Sequence, residues 1–353
     1  MNGLADTALL AAVAIGSVLG ASALAQASWP RRSPAAAILL WQALGLAGGL
    51  AAVGTLVGLG LPGGSLGVAR SVLHPGAVFR AGIAFRLPVA SGAMPAVLAA
   101  FRLTCLATGL ALFASLCWVL VAASAAVLQA RRRQRALLAL LAHGDPKVPG
   151  ALVVDHPSAA AYCLPGLRSP VVVVSVGTLR LLGRGELAAV LAHEHAHLRE
   201  RHDLVLLPFT ALRRAFPRSA MCLEAHRAVA LLVEMLADDR ALRARPAREL
   251  ASALVRFGTA GACPAPAGAL AAVGATGAPE GEVAARVARL LQPVRPLPRP
   301  AIAAICQPPR CWPRCRSRCS SSDRRARAHQ GPYGPELVPL LRNSFTLGRT
   351  SAR

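Results

Sequence analysis

Leu191-Ala192-His193-Glu194-His195-Ala196-His197-Leu198 is the stretch on which the reading of this chain turns. Residues four apart on an α-helix share a face, so His193 and His197 can present imidazole nitrogens to a single metal ion. Glu194, one position round, can reach a water held by that ion and take its proton. The approach supports a helix: Gly185-Glu-Leu-Ala-Ala-Val-Leu191 contains no proline and no further glycine. His195 points away from the shared face and reads as a packing variant.

A catalytic zinc usually has three protein ligands and a water. Downstream, Leu231-Leu-Val-Glu-Met-Leu-Ala-Asp-Asp-Arg240 sits in an unbroken helical pattern from about Ala225 to Leu242. Glu234 is a suitable third ligand on this second helix. Asp238, one turn further on the same face, could orient a ligand histidine from behind. H-E-x-x-H followed by E-x-x-A-D on a later helix resembles the membrane zinc peptidases of the HtpX-like and BlaR/MecR-like groups. Tyr162-Cys-Leu-Pro-Gly166, the valine run after Pro170 and the following Gly-Thr-Leu-Arg-Leu-Leu182 are similar to the corresponding run of BlaR-type peptidases. The resemblance covers roughly residues 1 to 295.

The resemblance implies one Zn²⁺ per chain on His193, His197 and Glu234, with Glu194 as the general base of a peptide-bond hydrolysis. It makes Asp238, and also Asp203 in His197-Leu-Arg-Glu-Arg-His-Asp203, candidates for orienting the ligands. Glu200 and Arg201 read as solvated charges, and His202 and His226 as surface or capping histidines. Related peptidases often carry an active-site arginine on a late helix. Arg286, in Ala284-Ala-Arg-Val-Ala-Arg-Leu-Leu291, is therefore a candidate contact for substrate or transition state, although a basic amphipathic surface accounts for Arg286 and Arg289 equally well.

Of the 353 residues 54% are hydrophobic and the mean hydropathy is +0.48, which points to membrane segments rather than a purely soluble fold. The apolar runs 7–27, 36–61 and 103–128 are each long enough to span a bilayer. The first lacks the positive start of a cleavable leader, with Asp6 and no lysine or arginine, and reads as a retained anchor. Arg31 and Arg32 follow the first run, and Arg131-Arg-Arg-Gln-Arg135 ends the third. Both groups fall on one side if there are three spans, and the positive-inside rule makes that side cytoplasmic.

The expected fold class is thus an α-helical membrane protein with three spans in residues 1–135, followed by a small α+β gluzincin-like metallopeptidase domain in 136–292. Within that domain the helix after the arginines ends near His143, Ala151–Asp155 reads as a strand, and Pro170–Val176 as a second. A strand before the active-site helix suits a protease, because substrate commonly adds to an exposed sheet edge.

The net charge of +23 is almost wholly arginine and scattered, and aromatic residues make up only 4%, so no specific nucleic-acid partner is expected. Nine cysteines show no paired spacing. Residues 293–353, rich in proline, arginine and cysteine, are expected to be disordered or read out of frame. The expected partners are a protein or peptide substrate and the lipid bilayer, with a cytoplasmic transcriptional repressor by analogy. The alternative is a catalytically degenerate membrane protein whose zincin domain serves as a binding or signalling module.

Overall fold

The computed structural model describes residues 2–61, 93–144, 148–166, 170–260, 270–271 and 280–292. The proline-rich stretch after Gln292, the arginine- and cysteine-rich tail and most of the loop expected between the second and third spans lie outside these residues.

Three helices carry the apolar runs: α1 (Asn2–Gln26), α2 (Pro34–Gly60) and α3 (Ala93–Leu141). Each contains a segment long and apolar enough to cross a membrane: Leu4–Gln26, Pro34–Gly60 and Ala96–Leu141. Their outward residues are bare hydrocarbon, as Leu19, Leu46 and Trp118 show. Water would not tolerate so much contiguous apolar surface, whereas acyl chains would. Gly60 allows α2 and α3 to touch, since a Cβ there would lie 2.7 Å from that of Leu106.

The third helix does not end at its arginines. It has 49 residues and runs through Arg131–Arg135 to Leu141, so position 135 falls inside a helix. Charge ends the apolar run but not the helix, because arginine is a good helix former. The far end packs on a sheet through Leu138, which is buried with Tyr162, Leu164 and Val173.

That sheet has the order β1-β2-β4-β3-β5, built from Ala142–Gly144, Ala151–Val154, Ala161–Leu164, Val171–Ser175 and Leu270–Ala271. Only the β2–β4 pair is parallel; β1–β2, β3–β4 and β3–β5 run antiparallel. One strand corrects the sequence reading, and another falls where it was expected, with its place in the sheet now fixed. Ala142–Gly144, placed at a helix end, pairs with Leu152–Val154 as an edge strand. The valine strand β4 lies inside the sheet, with Val172, Val173 and Val174 buried, so it is a core strand and not a template for an added peptide. Its last residue, Ser175, caps the short helix α4 (Val176–Leu181) by accepting from the Thr178 amide.

The helices that follow are α5 (Arg184–Arg199), α6 (His202–Ala215), α7 (Ala220–Ala241), α8 (Ala247–Thr259) and α9 (Glu280–Leu291). Glu186 starts α5 by accepting from the Gly183 amide at 2.8 Å, satisfying one of the amides a helix start leaves unpaired. Ala189 and Val190 then bury one side of α5 against Leu250, Leu254 and Phe257 of α8. Another cluster binds the apolar helices to the helical domain: Leu24, Ile38 and Trp41 pack with Phe209, Val229 and Val233. Trp41 meets Phe209 edge to face at 6.4 Å, and Gln42 donates to the Val205 carbonyl. The first two helices therefore share one core with α6 and α7.

Candidate metal centre

Helix α5 delivers both motif histidines to the interior. His193, Glu194 and His197 are fully buried, while His195 faces outward and its Nδ1 lies 2.6 Å from the Leu191 carbonyl oxygen. Helix α7 packs across α5 and brings Glu234 to the same point. The two Nε2 atoms of His193 and His197 lie 3.0 Å apart, and the Glu234 carboxylate is 3.4 Å from the first and 3.5 Å from the second. Two ligands bound tetrahedrally at the usual zinc–nitrogen and zinc–oxygen distances sit about 3.3 Å apart. The two nitrogens lie close to that separation, Glu234 faces the first through Oε2 and the second through Oε1, and two imidazoles with one carboxylate are a donor set that zinc accepts. These three residues could therefore hold a metal ion.

The surroundings set the protons. Asp238 lies behind His193, 2.9 Å from its Nδ1, and is itself gripped by Arg286, whose Nε and Nη2 donate to the two carboxylate oxygens at 2.9 and 2.7 Å. Burial alone would raise the Asp238 carboxyl, but Arg286 and His193 hold it well below the ordinary carboxylate range. Burial likewise pushes His193 down, and the hydrogen bonds to Asp238 and Glu234 more than reverse this, up to about 9. His197 goes the other way. Burial, then the neighbouring His193 and His202, keep it well below the usual histidine value, so it is neutral at pH 7.

The rings form a chain: Nδ1 of His193 faces Asp238 at 2.9 Å, its Nε2 lies 3.0 Å from Nε2 of His197, and Nδ1 of His197 lies 3.0 Å from Nδ1 of His202. A proton on Nδ1 of each of His193 and His197 would leave both Nε2 lone pairs free for a metal beside the Glu234 carboxylate.

His202 corrects the sequence reading: it is a buried residue touching His197, not a surface or capping group. Arg201, at φ 51°, adopts the left-handed conformation and breaks the chain between α5 and α6, which places His202 at the start of the next helix. Its Nε2 lies 3.6 Å from Glu200, which also pairs with Arg240. Asp203, considered as an orienting group, instead accepts from Arg131 of α3 at 3.0 Å and from Arg201 at 3.3 Å. The histidine that reaches a ligand is its neighbour. Arg286 is buried on α9, with Nη1 3.0 Å from Glu234 as well as its grip on Asp238, so the amphipathic-surface account does not describe it. Arg289 does lie further out, paired with Asp239. His226, half-buried, faces Thr210.

A residue the sequence did not single out for the site is Cys163 on β3. It is buried, and its thiol is hydrogen-bonded to Glu194. Burial and the Glu194 charge push this thiol far above its ordinary range, so it stays protonated and donates to the carboxylate.

Residues 125–243 match peptidase family M48, a span that takes in the end of α3, the sheet from β1 to β4 and all of α5, α6 and α7. The match supports a metallopeptidase domain containing the His193, His197 and Glu234 cluster. No curated protein and no solved structure matches the chain.

Proposed function

We propose that the protein is a membrane-anchored, zinc-dependent endopeptidase, with His193, His197 and Glu234 holding the metal and Glu194 acting as general base. The observation that carries this reading is the convergence of three donor groups from two helices, their ligand atoms within 4.8 Å of one another, beside a buried glutamate on the same turn as the histidines. When bound there, zinc supplies a Lewis acid that acidifies water and polarises a scissile carbonyl. Glu194 accepts the proton of the attacking water and passes it to the leaving amine. Asp238 holds the His193 ring through Nδ1, and His202 does the same for His197. Arg286, with its nitrogens directed at Asp238 and Glu234, serves as the positioning cation of the site.

The three apolar helices act as membrane spans, with the arginine-marked end of α3 and the peptidase segment on the cytoplasmic side. The E-x-x-A-D pattern and the Tyr162–Gly166 segment favour a BlaR/MecR-type arrangement, and the substrate that analogy suggests is a cytoplasmic repressor.

The test is metal content together with casein or self-cleavage in detergent, for wild type and Glu194→Ala. Zinc near one per chain in both, with cleavage in wild type alone, is the expected result. Zinc without cleavage in either favours a degenerate domain used as a binding module. A well-folded sample without zinc refutes the proposal.

A further inference from the structure

A cavity of about 620 Å³ opens between the last part of α3, the end of β3 and the start of α6. Its lining is graded. Val127 and Leu128 of α3, with Leu204 and Leu207 of α6, form an apolar portion, and Leu128 and Leu204 are each 53% exposed there. One to two turns along α3, and at the turn before α6, come Arg131, Arg132, Arg135 and Arg201. The Arg131–Asp203 ion pair locks the two helices so that their charged ends coincide, and with them their apolar ends.

Both halves of the gradient bear on the ligand. Among the described residues of the wall, four arginines stand beside one carboxylate, Asp203, so the charged end attracts an anion. Guanidinium forks match phosphate oxygens well. A small free anion would gain nothing from the leucines, and a zwitterionic amphiphile would gain little from the arginines. The boundary between the two portions falls between Leu128 and Arg131, where the apolar run of the third span gives way to charge. That is the level at which headgroups meet acyl chains. Arginines just beyond the cytoplasmic end of a span attract anionic headgroups.

We propose that this cavity binds an anionic glycerophospholipid of the surrounding bilayer, its phosphate against Arg132, Arg135 and Arg201 and an acyl chain along Val127, Leu128, Leu204 and Leu207. The proposal rests on the reading of α1 to α3 as membrane spans and is independent of the peptidase chemistry.

Native mass spectrometry of the full chain released from detergent tests it. The probes are phosphatidylglycerol, phosphatidylcholine with the same acyl chains, and inorganic phosphate. Phosphatidylglycerol is expected to be retained at least tenfold better than phosphatidylcholine, and phosphate is expected not to displace it at equal concentration. The double variant Arg132→Ala/Arg135→Ala should lose this preference by roughly tenfold or more. Arg180→Ala/Arg248→Ala, which removes two exposed arginines outside the cavity, should keep it. Should the double variant fail to fold, Arg132→Ala alone should show roughly a fivefold loss. Equal retention of both lipids, an unchanged preference in the arginine variants, or full displacement by phosphate overturns the lipid site. A chain that is monodisperse without detergent overturns the membrane reading and this site with it, an outcome distinct from lost lipid preference in a detergent-dependent protein.

Discussion

Asp238→Asn is the substitution that best separates positioning from ligation at this centre. The change keeps shape and removes charge. Asp238 is 1% exposed and serves two donors at once, the His193 ring at 2.9 Å and the Arg286 fork at 2.7 and 2.9 Å. Oδ1 accepts from both the His193 ring and Nη2 of Arg286, so an amide oxygen placed there keeps both contacts without the charge, while its NH₂ faces Nε of Arg286, donor against donor. Breaking a buried ion pair from one side costs about 3–5 kcal/mol. Arg286 keeps Glu234 at 3.0 Å, so the lower end, about 3 kcal/mol, applies. For a domain of this size that corresponds to a drop in Tm of roughly 6–12 °C. Loss of the partner behind a ligand histidine typically costs about 10–100-fold in metal affinity. Thermal unfolding of the metal-free protein in micelles reads the first effect, and zinc competition against a chromophoric chelator reads the second. A Tm within 2 °C of wild type together with unchanged zinc affinity would refute the reasoning.

Glu194→Gln should retain zinc and lose cleavage by at least about 10²-fold, measured on a peptide substrate; a variant of undiminished activity would remove Glu194 from the mechanism. His202→Ala removes the group that faces Nδ1 of His197, and zinc affinity should fall about tenfold or more, with partial recovery in His202→Gln; equal affinities in all three proteins would make the contact incidental. Because His193 is held protonated up to about pH 9 while His197 is already neutral, zinc binding at pH 7 should release close to one proton rather than two. Apparent zinc affinity should therefore fall up to tenfold for each pH unit below 9, and calorimetry in buffers of different ionisation enthalpy reports the count directly. The same raised value stabilises the metal-free fold fully below about pH 6.5, a contribution that fades as pH rises through 9.

The ligand helices were legible because their signal is local. Four-residue spacing on α5 and the carboxylate pair Glu234 and Asp238 on α7 need only helical periodicity to be read, and the apolar runs need only length. What escaped depends on contacts between distant segments or on backbone conformations that no residue type announces. His202 looked like a surface residue because nothing in its neighbours predicts the left-handed Arg201 that turns it inward. Arg286 was ambiguous because its partner lies 48 residues away, and only the packing of α9 on α7 distinguishes it from Arg289, three positions on. Ala142–Gly144 continues a helix-like run and becomes a strand only because β2 offers it a partner. Cys163 drew notice only as part of the Tyr162–Gly166 segment, and its tie to Glu194 follows from the packing of β3 against α5.

The unbroken α3 makes the apolar helices and the sheet a single mechanical member. At 1.5 Å per residue its 49 residues form a rod about 74 Å long, with Arg131 tied to α6 and Leu138 seated on the sheet. A tilt of about 5° at the seated end sweeps the opposite tip through roughly 6 Å, so the rod works as a lever with a short arm and a long one. Displacement imposed on the long arm arrives at the short arm scaled down but stiff, and the joint it meets first is Asp203, next to the histidine that props His197.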